Sequence, residues 1–532
     1  MKVKNIVTRS HPKRAPFGAP LGAATVPTKI TSWRMMCTYL PWLLIPLLSL
    51  QAICVTLMCG LSPDEYNHIH FMWLIHRGLL ANVDFLCPYP TLFYRLFGFL
   101  LDVFPNDAAF LIYARIFSLS VLGLTALLAC AISKQACDAY WPGVVAMLLP
   151  PACCHEAFRQ FRPDTFAYVL FLLGLLLLCR WPSNRSSIAA AAFLAVFSLL
   201  VMPKHVFLVG GAALGYLIMG CKTRSINVRQ SLIWASVGLF AALAVGAFII
   251  RADLASFKEL LSLATKTGFY RGEGEATLAS SLAMLLFSST IWPIAVLLLT
   301  APVLVVVRLL DSKKRLFKHH ALPWQYRGIA AGVLLAAIAY PFFNTCPYSQ
   351  SQAVLFIAAA IGMALVADTV PLPHMSVLAT GLLAACLYLV WPSAKQGIKD
   401  ASTLKHIELQ AILTKLIPEN EYQVSMSFTA PTFRPDPSYI YLSEVRAYRD
   451  IVPAEKRKYF TEPYFYERLC ATRPAYFCFF TMGHQPPEYL AACQKYLTDN
   501  EKSYASLAID WSGMGTINNG KLPIIVRKDL LK

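Results

Sequence analysis

The chain has 532 residues, 57% of them hydrophobic and only 14% charged, with a mean hydropathy of +0.53. A soluble domain carries about 25% charged residues, so the polar surface here is too small to cover a water-soluble globule, and a soluble enzyme is excluded. With 26 Gly and 34 Pro and no visible internal period, collagen-like and solenoid architectures are excluded too, leaving an α-helical multi-pass membrane protein.

The net charge of +18 is unevenly placed, since residues 395–532 hold 18 basic and 15 acidic residues and the excess lies before them. Lys2, Lys4, Arg9, Lys13, Arg14, Lys29 and Arg34 precede the first apolar run with no acid among them. Such a tail ahead of a span holds its end in the cytoplasm and does not call for nucleic acid. Residues 35–63 carry no charge, enough for a retained first helix in a bilayer core that needs about 20 residues.

Further uncharged runs follow at 116–133, 139–155, 165–179, 186–203, 205–221, 230–250, 276–307, 328–367 and 369–394. Asn344–Gln352 divides the long run into two spans, which gives about 11 transmembrane helices. The positive-inside rule assigns Lys134, Arg180, Arg185, Lys222, Arg224 and Arg229, and the cluster from Arg308 to Arg327, to the cytoplasmic side. The predicted organisation is a cytoplasmic basic tail at 1–34, a membrane domain at 35–394 with outer loops at 62–109, 153–164 and 251–280, and an extracytoplasmic domain at 395–532.

That last segment has ordinary charge spacing. Residues 402–417 show helical periodicity, YQVSMSF, PAYFCFF and LPIIVRK read as short strands, and PPEYLAACQKYL reads as a helix between them, so a small α/β domain is expected. It has no nucleotide-binding fingerprint. The 15 cysteines include no zinc spacing; a disulfide among Cys470, Cys478 and Cys493 is left open.

The charged residues of the outer segments are the candidate site. Ser62-Pro63-Asp64-Glu65 opens a helix, with both acids at its positive end, where they serve chemistry or simple capping. Asp64 and His68 lie four residues apart, too few ligands to define a metal site, so the metal is unknown. Arg159, Arg162 and Asp164 stand at the mouth of the next outer-facing span. Arg162 suits a phosphate, although interfacial anchoring gives the same pattern. Lys204 and His205 occupy a tight outer hairpin at the membrane surface. Asp84 lies in the first loop, and Tyr270 and Arg271 belong to a Gly-containing segment that reads as a lid or a solvated connector.

Taken in order, the acids at 64 and 65, Gly78, Asn82-Val83-Asp84-Phe85, Pro90-Thr91-Leu92-Phe93-Tyr94, Phe161-Arg162-Pro163-Asp164, Pro203-Lys204, and Phe433-Arg434-Pro435-Asp436 with Tyr439 resemble the C-type (GT-C) membrane glycosyltransferases. They are most similar to the bacterial family 39-like group related to protein O-mannosyltransferases and the lipid A aminoarabinose transferase. The resemblance implies transfer of a sugar from a polyprenyl-phosphate donor to a lipid, glycan or protein acceptor at the outer face of a bacterial inner membrane. Asp64 would be the catalytic base and Glu65 a supporting or acceptor-binding acid. Arg162 and Lys204 would bind the donor phosphate, and Asp84, Arg159, Asp164, His205, Tyr270 and Arg271 are candidate substrate contacts. No cofactor is implied. Cys87-Pro88-Tyr89-Pro90-Thr91 departs from the family's His-Pro-Pro-like stretch, where donor-sugar contacts are expected. A transporter or flippase of lipid-linked sugars is the alternative; it would place charges at mid-membrane.

Overall fold

The structure is a computed structural model that describes residues 32–58, 61–104, 108–137, 160–257, 259, 323–343, 388, 391, 395, 402–425, 431–439, 449, 452–479, 487–510 and 521–531. The predicted crossings at 139–155, 276–307 and beyond 343 lie outside those residues, as do Arg159, Tyr270, Arg271 and the turn at 344–352.

Helix α1 (Ser32–Met58) ends before Ser62, whose side chain caps the next helix, α2 (Pro63–His76), by accepting the Glu65 N–H at 3.2 Å. Pro63 at the first helical position costs no hydrogen bond there and presets the turn. Gly78, at φ +88°, ends α2 in a conformation that only glycine adopts easily. Short helices α3 (Leu92–Phe97) and α4 (Leu100–Val103) lead to α5 (Phe110–Cys137). Then come α6 (Pro163–Arg180), α7 (Arg185–Val201), a 3₁₀ turn at Pro203–His205, α8 (Val206–Lys222), α9 (Val228–Ile249), a 3₁₀ turn at Arg251–Ser256 and α10 (Trp324–Phe343). Among the described residues, four helical segments are long and apolar enough to cross a membrane: 110–135, 163–180, 203–222 and 228–249. Neighbours pack as α5 on α6, α6 on α7, α7 on α9 and α8 on α10.

The α8–α10 contact shows how sequence sets approach. Gly211 and Gly215 face Gly328 and Gly332, a small residue every fourth position on each helix, and a Cβ added at Gly215 would collide with the Gly328 carbonyl. Such pairs let backbones touch where no hydrophobic effect operates between helices. Gly215→Ala is expected to destabilise the protein by about 1–3 kcal/mol, while Gly210→Ala, which meets nothing within 4 Å, leaves the unfolding temperature in detergent unchanged or higher.

Charges in these helices keep to the ends. Ion pairs join α2 to α5 and to the start of α6, and α3 to the turn after α9, described below. At the opposite ends, Tyr326 bonds to the Ile132 carbonyl, Gln325 to the Cys179 carbonyl and Ser183 to the Ser225 carbonyl. That second face carries Lys134, Arg180, Arg185, Lys222, Arg224, Arg229 and Arg327.

The C-terminal segment contains α11 (Ser402–Leu416), β1 (Gln423–Val424), α12 (Glu462–Thr472), β2 (Tyr476–Phe477), α13 (Pro487–Asp499), β3 (Tyr504–Asp510) and β4 (Lys521–Arg527). The sheet order is β1-β2-β4-β3; β1 and β2 are parallel, and β4 is antiparallel to both β2 and β3. The helices expected at 402–417 and 486–497 are present as α11 and α13. Within YQVSMSF and PAYFCFF the described residues hold strands at Gln423–Val424 and Tyr476–Phe477, and α12 and β3 are additional elements. No disulfide joins Cys470, Cys478 and Cys493.

This segment shares one apolar core with residues 61–114. Phe433 packs against Trp73 and Phe110. His70 Nε2 meets Asp436 at 2.7 Å while its Nδ1 meets the Thr432 carbonyl at 2.7 Å. The Leu86 N–H donates to the Tyr439 carbonyl at 2.7 Å. Lys456 pairs with Glu259 at 2.6 Å and also reaches the Asn82 carbonyl. The stretch from α2 to α4 is therefore held by the C-terminal segment.

Candidate functional site

Asp64 sits in the first turn of α2, fixed by the Ser62 cap, and its side chain remains one-quarter exposed. Arg162 is the residue before α6; its extended backbone, φ −141° and ψ 151°, is what a residue preceding proline adopts. From there the guanidinium turns back onto α2, with Nη1 2.6 Å from Asp64 Oδ2, and also reaches Gln160 at 3.4 Å through Nη1 and Asp164 at 3.3 Å through Nε. Burial opposes the charge on Arg162, but the Asp64 and Asp164 carboxylates override it and hold its pKa above the ordinary guanidinium value.

The neighbouring residues repeat this link in parallel. Glu65 is fully buried; one oxygen accepts the Phe161 N–H at 3.1 Å and the other meets Arg115 Nη2 at 2.6 Å. Arg115 also donates to the Thr56 carbonyl at 2.5 Å. Glu65 thus ties α1, α2, α5 and the entry to α6 together and is closed off from solvent. Positions 64 and 65 are tied to 162 and 161 in register.

His68 lies one turn along α2 from Asp64, with Nδ1 2.7 Å from the Tyr94 hydroxyl and its ring 4.7 Å from that of Tyr89. Tyr89 belongs to the stretch that departs from the family pattern, so that departure lines the cluster. Lys204 and His205 come from the 3₁₀ turn between α7 and α8, and the charge of Lys204 acts on both His68 and Asp164. Lys204 is half-buried and makes no hydrogen bond or ion pair with another described residue.

The sequence therefore places Asp64, Glu65, Arg162, Asp164, Lys204 and His205 in one cluster. One expectation changes. Asp84 is exposed and accepts the Leu80 N–H at 2.8 Å, closing its own turn, and does not enter the cluster. Arg162 is engaged through two of its three nitrogens by two carboxylates and Gln160, which orient its guanidinium within the cluster. Among the described residues no group of three or more metal-ligating side chains occurs.

The chain is similar to ArnT. A search of solved structures returns ArnT from Cupriavidus metallidurans in the apo state, at 13% identity and a TM-score of 0.39, covering 91% of this chain and 97% of that one. It also returns ArnT from the same organism bound to undecaprenyl phosphate, at 11% identity and a TM-score of 0.36 with the same coverages. No protein-family profile matches the sequence, and no curated protein matches it.

Residues missed in the sequence include Arg115 and the Arg95–Asp253 pair, whose two bonds of 3.0 and 2.9 Å pin α3 to the turn after α9. Arg115 had a signal of sorts, a lone cation at the edge of an apolar run, but nothing there indicates Glu65 as its partner. His406 was likewise missed; its Nδ1 accepts the Leu61 N–H at 3.2 Å, joining α11 to the entry of α2.

Burial, reinforced by Arg162, pushes His68 down to about 3, and burial, reinforced by Arg115, pushes His406 down to about 4. Both are neutral in the folded chain while the unfolded chain gains their protons near pH 6.5, so their stability is present above that pH and is lost as pH falls. At pH 5 each costs about 2 kcal/mol relative to pH 7. The unfolding temperature in detergent should drop over this interval, and His406→Asn, which offers the Leu61 amide an acceptor that does not titrate, should reduce the drop. An equal drop in that variant would exclude His406 as a contributor.

Proposed function

We propose that the chain is a membrane glycosyltransferase that moves a sugar from a polyprenyl-phosphate donor to a lipid, glycan or protein acceptor at the outer face of a bacterial inner membrane. The observation that carries this reading is Asp64: a part-exposed carboxylate, held in one orientation by Arg162, beside the half-buried cation Lys204 and at the ends of apolar helices. Asp64 takes the proton from the acceptor hydroxyl or amine as that atom bonds to the anomeric carbon. The bond from that carbon to the phosphate oxygen breaks, and its electron pair leaves with the polyprenyl phosphate. Lys204 stabilises the developing phosphate charge, which in a site shielded from water is worth more than at an open surface. Arg162 orients Asp64, and Asp164 balances Arg162.

The placement of charge also favours this over transport. In the described apolar helices every charged residue lies within the first two turns or the last turn, with none at mid-helix, whereas an ion or substrate path through the membrane needs ionisable groups along it. The basic face fits the cytoplasm by the positive-inside rule and leaves the cluster outside.

The test is donor consumption by the full-length chain in nanodiscs, offered a panel of polyprenyl phosphates carrying hexoses or pentoses. Release of polyprenyl phosphate from one of them is expected. Movement of a donor across the bilayer without its cleavage would replace this reading with transport.

A further inference from the structure

Two histidines at the cluster have a ring nitrogen with no hydrogen-bond partner among the described residues. His205 is fully buried, its ring 4.4 Å from that of Tyr168 at 28° and its Nδ1 2.8 Å from Ser198 Oγ. Ser198 in turn donates to the Ala167 carbonyl at 2.9 Å. A hydroxyl has one hydrogen, so with that hydrogen on Ala167 the Nδ1 of His205 must be the donor to Ser198, and the neutral ring presents a bare lone pair at Nε2. His68 is also fully buried and is held at Nδ1 by Tyr94. The Nε2 atoms of both rings are buried without a hydrogen-bond partner among the described residues. An orphaned polar atom of this kind costs free energy that a ligand can restore. Arg162 joins Asp64 to Asp164; His68 stands one turn along α2 from Asp64, and His205 stacks on Tyr168, one turn along α6 from Asp164, so the two rings flank the same ion pair.

We propose that His68 and His205 form a subsite of paired neutral imidazoles that recognises the hydroxyls of the donor's sugar ring; this rests on the lipid-phosphate sugar reading above. His205 Nε2 requires a hydrogen-bond donor, and His68 Nε2 accepts either polarity, because Tyr94 can donate to or accept from its Nδ1. A sugar hydroxyl supplies both roles. A phosphate oxygen would face the His205 lone pair unfavourably and is served instead by Lys204. A hydroxyl also brings no charge into a space already holding Asp64, Asp164, Arg162 and Lys204. The subsite thus divides the donor, with sugar on the imidazoles and phosphate on the lysine.

The test compares binding of undecaprenyl phosphate with undecaprenyl phosphates carrying a hexose or a pentose, using the full-length chain in nanodiscs. His205→Asn and His68→Asn place an amide where Nδ1 was, keeping the internal bond and removing the outward atom. His205→Gln and His68→Gln do the reverse. The Asn variants are expected to lose about 10-fold in affinity for the sugar-bearing lipid while binding the bare lipid phosphate as the intact chain does, and the Gln variants are expected to retain more. The reverse ranking would mean that only the internal bonds matter and would overturn the proposal, whatever the stability of the variants. An equal loss for both lipids, or no loss, would also overturn it and leave the donor reading standing. Failure of the intact chain to bind any of these lipids would remove the donor reading and the subsite together.

Discussion

Asp64→Asn is expected to lower donor turnover by about 10²- to 10⁴-fold, the usual worth of a positioned general base, while leaving the protein folded. Asparagine has the shape of aspartate, and its amide oxygen can still accept from Arg162 Nη1, now 2.6 Å from the carboxylate. What it loses is the capacity to take a proton and one of the two negative charges facing Arg162. Asp164 remains 3.3 Å from the guanidinium, so the cation keeps a partner and the helix start keeps its Ser62 cap. A merely structural carboxylate would lower the unfolding temperature and turnover together. A base lowers turnover at an almost unchanged unfolding temperature. Full turnover in a folded Asp64→Asn would remove Asp64 from the chemistry.

The parts of this molecule legible in the sequence are those governed by local rules. Uncharged runs mark α5 to α10 because a bilayer core tolerates so few charges, and Pro63 and Pro163 mark helix starts because proline is tolerated there. Those two starts carry Asp64, Glu65, Arg162 and Asp164, so four of the six clustered residues are readable as helix beginnings, and the tight turn at Pro203–His205 supplies Lys204 and His205. The partnerships were not readable. His70 finds Asp436 across 366 residues and Leu61 finds His406 across 345; no spacing rule reaches so far. The same motif, Phe-Arg-Pro-Asp, shows the limit. At 161–164 it presents Arg162 to α2, whereas at 433–436 Arg434 is spent on the Ile417 and Thr414 carbonyls and Asp436 is the residue that reaches α2. Strands β1 and β2 pair over two residues each, too short for alternation to define their ends.

Arg115→Met is expected to be the most damaging single change for stability, by about 3–5 kcal/mol, because it leaves Glu65 as an uncompensated buried charge. Arg115 is 1% exposed and Glu65 is 0% exposed, so neither falls back on water when its partner is removed. The double variant Arg115→Met with Glu65→Gln removes both charges and keeps an amide oxygen for the Phe161 N–H, so it should unfold at a higher temperature than Arg115→Met alone. Groups in direct contact couple by about 0.5–3 kcal/mol in such cycles; additive effects would show that the pair is not a unit. The consequence reaches the chemistry through geometry. Glu65 holds Phe161 in the same register in which Asp64 holds Arg162, and loosening one link loosens the other. The double variant, once refolded into the same bundle, should therefore recover more stability than turnover. Its deficit should lie in kcat more than in KM, since Arg115 sets where Asp64 points and does not touch the donor.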